Sequence, residues 1–224
     1  MKTMHTGQGI RLITALSGLL VAMLFSTSAM AQILGTAHDF SDGSDIDAGG
    51  EICVVCHTPH NAISPDEGPL WNRSLAATTS YTLYSIDNST PGSDIQGTGF
   101  GQPSGVSKLC LSCHDGTIAV DAFGGQAGTA AGEMNTINPA ANIGGRTTSD
   151  AVGSGDLSDD HPVAFTYPTT DTEIVAAAGG LPLFGISSNQ LECATCHDVH
   201  GTGNLHLLRV PNTGSDLCLT CHTK

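Results

Sequence analysis

Four pentapeptides hold the residues able to do chemistry: Cys53-Val54-Val55-Cys56-His57, Cys110-Leu111-Ser112-Cys113-His114, Cys193-Ala194-Thr195-Cys196-His197 and Cys218-Leu219-Thr220-Cys221-His222. Together they use all eight cysteines. Two cysteines three positions apart on one helical turn put their sulfurs on the same side, where both can add to the vinyl groups of one porphyrin. The adjoining His then reaches the iron. The pattern C-x-x-C-H reads as attachment of a c-type haem, and four copies imply four covalently bound c-type haems. Two bland uses of paired cysteines compete with this. Structural zinc held by four thiolates does not require a His after each pair, and disulfides suit an exported chain but leave the four His unexplained.

His57, His114, His197 and His222 each supply one axial ligand, so the sixth position decides between electron transfer and catalysis. Residues 1–31 read as a cleaved secretory signal: Lys2 and Arg11 precede or flank a short apolar stretch from Leu12 to Phe25, and Ala29-Met30-Ala31 is a small-x-small cleavage site. With that leader removed, Met134 is the sole methionine, and His38, His60, His161, His200 and His206 are five histidines for four vacancies. Bis-His ligation throughout is therefore possible by count. Six-coordinate iron has no place for a substrate, and His in place of Met lowers the potential.

His60 follows His57 by three positions, as His200 follows His197. If helical, such pairs start about 5–6 Å apart, too close to grip one haem from opposite faces. As ligands, His60 and His200 must therefore serve haems other than those of His57 and His197, which sets haems in pairs with irons on the order of 10 Å apart. Pro59 interrupts a helix through the first of these pairs. His161 precedes Pro162 and is held extended, so it reads as an internal distal ligand. His206 is left as the spare, a partly buried histidine. That assigns the last vacancy to His38 near the mature N-terminus, on a mobile arm able to reach a neighbouring subunit.

The elements that must position these residues are sparse. Two doubled units, 53–114 and 193–222, repeat the motifs, joined by a Gly/Ser/Thr/Asp-rich segment, 124–160, that reads as a long surface connection. Short helices are expected to carry the motifs, with short strands at Tyr81 to Ile86 and Val163 to Tyr167 and a helical turn or two at Thr172 to Ala178. The hydrophobic fraction is 39% and the aromatic fraction 4%, too little for an ordinary core. The fold class expected is a mostly irregular multihaem cytochrome c, residues 32–224 forming one tetrahaem domain whose haem stack is the core.

Charge narrows the partners. Twenty-one acidic residues against seven basic ones exclude nucleic acid, and loss of Lys2 and Arg11 with the leader takes the net charge from -14 to about -16. No membrane span is expected after signal cleavage.

The paired C-x-x-C-H-x-x-H and C-x-x-C-H units, with Ala37-His38-Asp39-Phe40 near the mature start and Asp160-His161-Pro162-Val163 between the units, resemble doubled-C-x-x-C-H multihaem cytochromes. The mature chain is similar to the OmcE type, tetrahaem outer-surface cytochromes of metal-respiring bacteria that polymerise into extracellular filaments. The resemblance implies bis-His haems in a continuous stack, identical subunits as partners, electrons passed between them, and one axial His supplied across the subunit contact.

Three functions compete: an extracellular electron conduit, polymeric by resemblance; a monomeric periplasmic shuttle; and a multihaem reductase of nitrogen or sulfur oxyanions. Redox partner proteins or extracellular acceptors suit the first two. The third is disfavoured by four ordinary motifs, an ample distal His supply and an acidic surface that repels anions. The expected role is therefore not enzymatic.

Overall fold

The computed structural model describes residues 33–43, 46–62, 68, 70–84, 101–143, 155–201 and 204–223. The signal segment, residues 85–86 of the first expected strand, and the stretch 144–154 of the expected connection lie outside them. The described residues fall in one compact unit, Gln32–Lys224, and among them no helix is long and apolar enough to cross a membrane.

Regular structure is brief and clusters around the cysteines. Helix α1, Gly105–His114, buries Ser107, Leu109, Leu111 and Ser112 and carries the second motif. Helix α2 is Met134–Ile137, α3 is Cys193–Cys196, and α4 is Asp216–Cys221. The first motif makes only a turn, closed by His57 N–H to Cys53 O at 2.8 Å. The difference lies one residue upstream. Glu192 caps α3 with its carboxylate while the Thr195 hydroxyl accepts from the Glu192 N–H at 3.0 Å, a reciprocal arrangement that satisfies the first helical amides. Ile52 holds the matching place before Cys53 and has no side-chain acceptor to offer.

The expected strands are shorter than alternation suggests. Of Val163 to Tyr167 only Phe165–Thr166 (β1) pairs, antiparallel to Gln190–Leu191 (β2), in the register Phe165↔Leu191. Ala164, at φ 61, breaks the extended backbone that alternation assumes. In Tyr81–Tyr84 a lone bridge joins Thr82 to Asp156. The helical turn expected at Thr172 to Ala178 does not form: Ala176–Gly180 is a tight turn with Ala177, Ala178 and Gly179 in left-handed backbone at φ 53, 49 and 60. There Gly179 lies at φ +60 with its α-carbon against the Thr220 carbonyl of α4, a close approach that leaves no room for a Cβ.

Over its described length to 143 the segment from 124 runs mostly exposed, as a surface connection should, but it is pinned by buried Gly132, Met134 and Asn142. The Asp121 carboxylate accepts from the Thr129 amide at 3.0 Å and from its hydroxyl at 2.6 Å, and α2 then delivers Met134 into a cluster with Ile46, Ala48, Val55 and Val120. Two more small clusters form around Ala76, Tyr81, Leu111 and Leu157, and around Phe165, Tyr167, Ala178 and Leu191. The largest fully buried side chains are instead mostly polar, Arg73, Glu192, Asn142 and Asp115 among them. Cys56 and Cys113 lie against the first cluster and Cys221 against the third. The apolar material is therefore distributed as three patches with cysteines at the edges of two of them, the arrangement of a chain whose core is completed by something held at those sulfurs.

Candidate haem sites

Leaving the motif, the chain repeats one backbone device. After the first motif, Thr58 N–H donates to Leu70 O at 2.8 Å and Asn72 N–H to Cys56 O at 2.9 Å. After the third, Asp198 N–H donates to Leu207 O at 2.7 Å and Arg209 N–H to Cys196 O at 2.8 Å. His57 bridges Trp71 and His197 bridges Leu208. Leu70 and Leu207 even share a positive φ, 59 and 56. The side chains of Asn72 and Arg209 then donate to the carbonyls of Val54 and Ala194, the second residue of each motif, at 2.5 and 2.8 Å. A motif held on both flanks in this way presents its sulfurs and its His from a fixed frame. The repeat thus extends to Leu-Trp-Asn and Leu-Leu-Arg, a signal visible in the sequence only once the two motifs are aligned through loops of unequal length.

The motif His does not continue a helix in three of the four cases. His57 pairs in a bridge, and His197 and His222 are extended, with φ/ψ of -108/142 and -105/137. The expectation that His57 and His60, or His197 and His200, are neighbours on one helical turn is therefore corrected: both pairs straddle an extended exit. Only His114 ends inside its helix.

The rings meet across the units. His57 and His200 have centroids 5.9 Å apart at an interplanar angle of 27°, and His38 and His114 are 5.9 Å apart at 54°. Two metal–imidazole bonds of about 2.0–2.1 Å, with half a ring at each end, require a centroid separation of roughly 6 Å. Trp71 stands edge-on to His57 at 6.3 Å, 87°, and limits its rotation. Burial disfavours the charge on His161, and His222 is near enough to add to that effect. His60 is exposed, its amide turned onto the Thr58 hydroxyl at 3.3 Å. His206 is also exposed rather than partly buried.

His38, expected to reach a neighbouring subunit, also has a partner within its own chain. It is half-buried against His114 of its own chain, and burial first, then His114, His197 and His200, pulls it down to about 4. The arm that carries it is anchored by buried Ile33 on one side and by Ile46 and Ala48 on the other.

Three rings have their tautomer fixed. Nδ1 lies 2.7 Å from the Ala141 carbonyl in His114, 2.9 Å from the His206 carbonyl in His197 and 2.9 Å from the Pro162 carbonyl in His161. A carbonyl only accepts, so each Nδ1 carries the proton and each Nε2 keeps a lone pair for a metal.

The sulfurs follow one another in sequence order. Cys56 and Cys113 are electrostatic neighbours, as are Cys110 and Cys193, and Cys196 senses Cys218 and Cys221. Ser107 links the middle pair of motifs, donating to the Glu192 carboxylate and accepting from the Cys193 amide at 3.0 Å. No disulfide joins any of the eight cysteines. Burial pushes Cys56 and Cys196 up to about 11, surroundings that resist a thiolate and accept an uncharged thioether. Among the described residues no group of three His, Cys, Asp or Glu has metal-holding geometry by itself. The donor chemistry therefore fits covalent haem: paired neutral sulfurs, an adjoining imidazole, and a second imidazole at bis-His separation in two of the four sites.

A family model described as a doubled CXXCH motif matches residues 187–224, the stretch with the third and fourth motifs and the connecting Leu-Leu-Arg segment. No curated protein matches the chain. The match supports a multihaem c-type cytochrome and covalently bound c-type haem.

Proposed function

We propose that the chain is an exported tetrahaem electron-transfer protein and not an enzyme, with thioethers at Cys53/Cys56, Cys110/Cys113, Cys193/Cys196 and Cys218/Cys221. The observation that carries the reading is the pair of inter-ring separations near 6 Å, each joining a motif His to a non-motif His. Axial pairs are assigned as His57/His200, His114/His38, His222/His161 and His197/His60, the last by reciprocity with the first. Bound haem supplies a one-electron couple at unchanged ligation. The protein's own residues hold the imidazoles from both faces, fix Nε2 toward the metal through carbonyls at Nδ1, and keep substrates from the sixth position. Intact mass and a reduced haem spectrum test it: four covalent haems, all low-spin, are expected, and fewer than four or a ligand-accessible high-spin site overturns it.

The resemblance to filament-forming cytochromes supports work as an extracellular polymer, with electrons passing between subunits to redox proteins or extracellular acceptors. A monomeric periplasmic shuttle is favoured by one observation: His38 faces His114 within its own chain, so a full set of axial pairs can be drawn without a second subunit. Native mass and electron microscopy of the secreted protein separate the two.

A further inference from the structure

Arg73 is fully buried, 0% exposed, in a chain with only seven basic residues. Its Nη1 donates to Val120 O at 2.5 Å and its Nη2 to Ala119 O at 2.6 Å, while Nε has no hydrogen-bond partner. Among the described residues the ion pair formed is Arg209 with Asp198, and no carboxylate pairs with Arg73. Arginine stays protonated, so this is a fixed buried cation whose only acceptors are two neutral carbonyls. Uncompensated charge of this kind is costly, and its retention points to a role for the charge itself.

Its position names that role. Arg73 is held on the carbonyl of Val120, whose cluster packs against both Cys56 and Cys113, and it is an electrostatic neighbour of both sulfurs, so it stands between the attachment points of the first and second haems. At the next junction, between Cys110 and Cys193, the buried group is the Glu192 carboxyl. After the third motif the place matching Arg73 is taken by Val210, and the cation beside it, Arg209, is partly exposed and neutralised by Asp198 at 2.9 Å. Among the described residues, this junction therefore holds a fully buried positive charge with no ion-pair partner, where Coulomb interactions are weakly screened; the buried Asp115 carboxylate acts on Cys113 in the opposite sense.

We propose that Arg73 sets the redox order of the chain by raising the reduction potentials of the haems attached at Cys53/Cys56 and Cys110/Cys113, an inference that rests on the haem assignment above. Reduction takes up one electron from the donor at each site, with no proton or ligand changing hands, and lowers the net charge by one. A nearby cation favours the reduced form. Electrons then collect toward the Cys53/Cys56 end.

The test is a redox titration of the haem-loaded protein, followed optically and by electron paramagnetic resonance, for wild type, Arg73→Gln and Arg73→Lys. Arg73→Gln should shift two of the four haems about tenfold toward the oxidised form at a given applied potential, a fall of about 59 mV, and the shift should persist at high salt. Arg73→Lys, which keeps the charge, should move them less. Four low-spin haems with unchanged potentials in Arg73→Gln overturn the proposal, as does an equal shift in both variants. If Arg73→Gln does not load haem, the wild type decides: the haem at Cys53/Cys56 must be reduced before that at Cys218/Cys221, and the reverse order refutes the inference. Fewer than four haems in the wild type itself contradicts the functional reading instead.

Discussion

The turn around Cys53 and the helix around Cys193 present the same chemical motif from the same flanking bonds, yet only the second is helical. Asn72 and Arg209 lock equivalent carbonyls, and Leu70 and Leu207 share an unusual backbone angle. What differs is the residue before the first cysteine, Ile52 or Glu192, and with it the cap. The comparison teaches that haem-attachment geometry here depends on the closing bond from His to the first Cys and on the returning strand. Between these two motifs, helix is an addition made where Glu192 supplies a cap.

The largest effect expected is on both halves at once. Three small apolar clusters do not offset the entropy of ordering this many residues, so chain made without haem attachment should show no cooperative thermal transition by circular dichroism, whereas loaded protein should. A sharp transition in the haem-free chain would mean that the clusters suffice. Next, Glu192→Ala removes a cap and leaves the Ser107 hydroxyl unsatisfied, so it should destabilise the loaded protein by about 2–4 kcal/mol in denaturant titration. Ile52→Ala should cost less, about 1 kcal/mol, since it trims a half-buried side chain that caps nothing. Equal losses would remove the cap from the explanation.

How much of this was legible in the sequence depends on whether the cause is local. The eight cysteines and their histidines are set by covalent chemistry that needs one turn of chain, so spacing reveals them. The shortage of large apolar residues likewise signals an irregular fold. Burial of Met134 was not legible, because it depends on Asp121 folding the Gly-rich stretch back onto Val55 and Val120. Nor was the exit of His57 and His197 into extended backbone, which is decided by pairing with Trp71 and Leu208 across loops of different length. The position of His38 near the terminus is local information and suggests a mobile arm, whereas its contact with His114 is not local.

Ligand variants sharpen the comparison at the level of single sites. His200→Ala should retain four haems and turn one high-spin, the one attached at Cys53/Cys56, as read by electron paramagnetic resonance; His60→Ala should do the same to the haem at Cys193/Cys196. If the affected haem is that of the variant's own motif, the crossed pairing is wrong. His38→Ala should give one high-spin haem even in isolated single chains, while a change seen only in assembled protein would assign the ligand to a neighbour. The smallest effect is expected for Asp198→Asn, which breaks a partly exposed ion pair while leaving Arg209 on the Ala194 carbonyl, and should cost about 1 kcal/mol or less in thermal or denaturant unfolding.

A haem-resolved structure of the loaded, secreted protein tests the central claim most directly, because it shows which two histidines share each iron. The account predicts His57 and His200 on one iron and His114 and His38 on another, each pair from a single chain. Finding His200 on the iron of His197, or either non-motif His away from any iron, would contradict it.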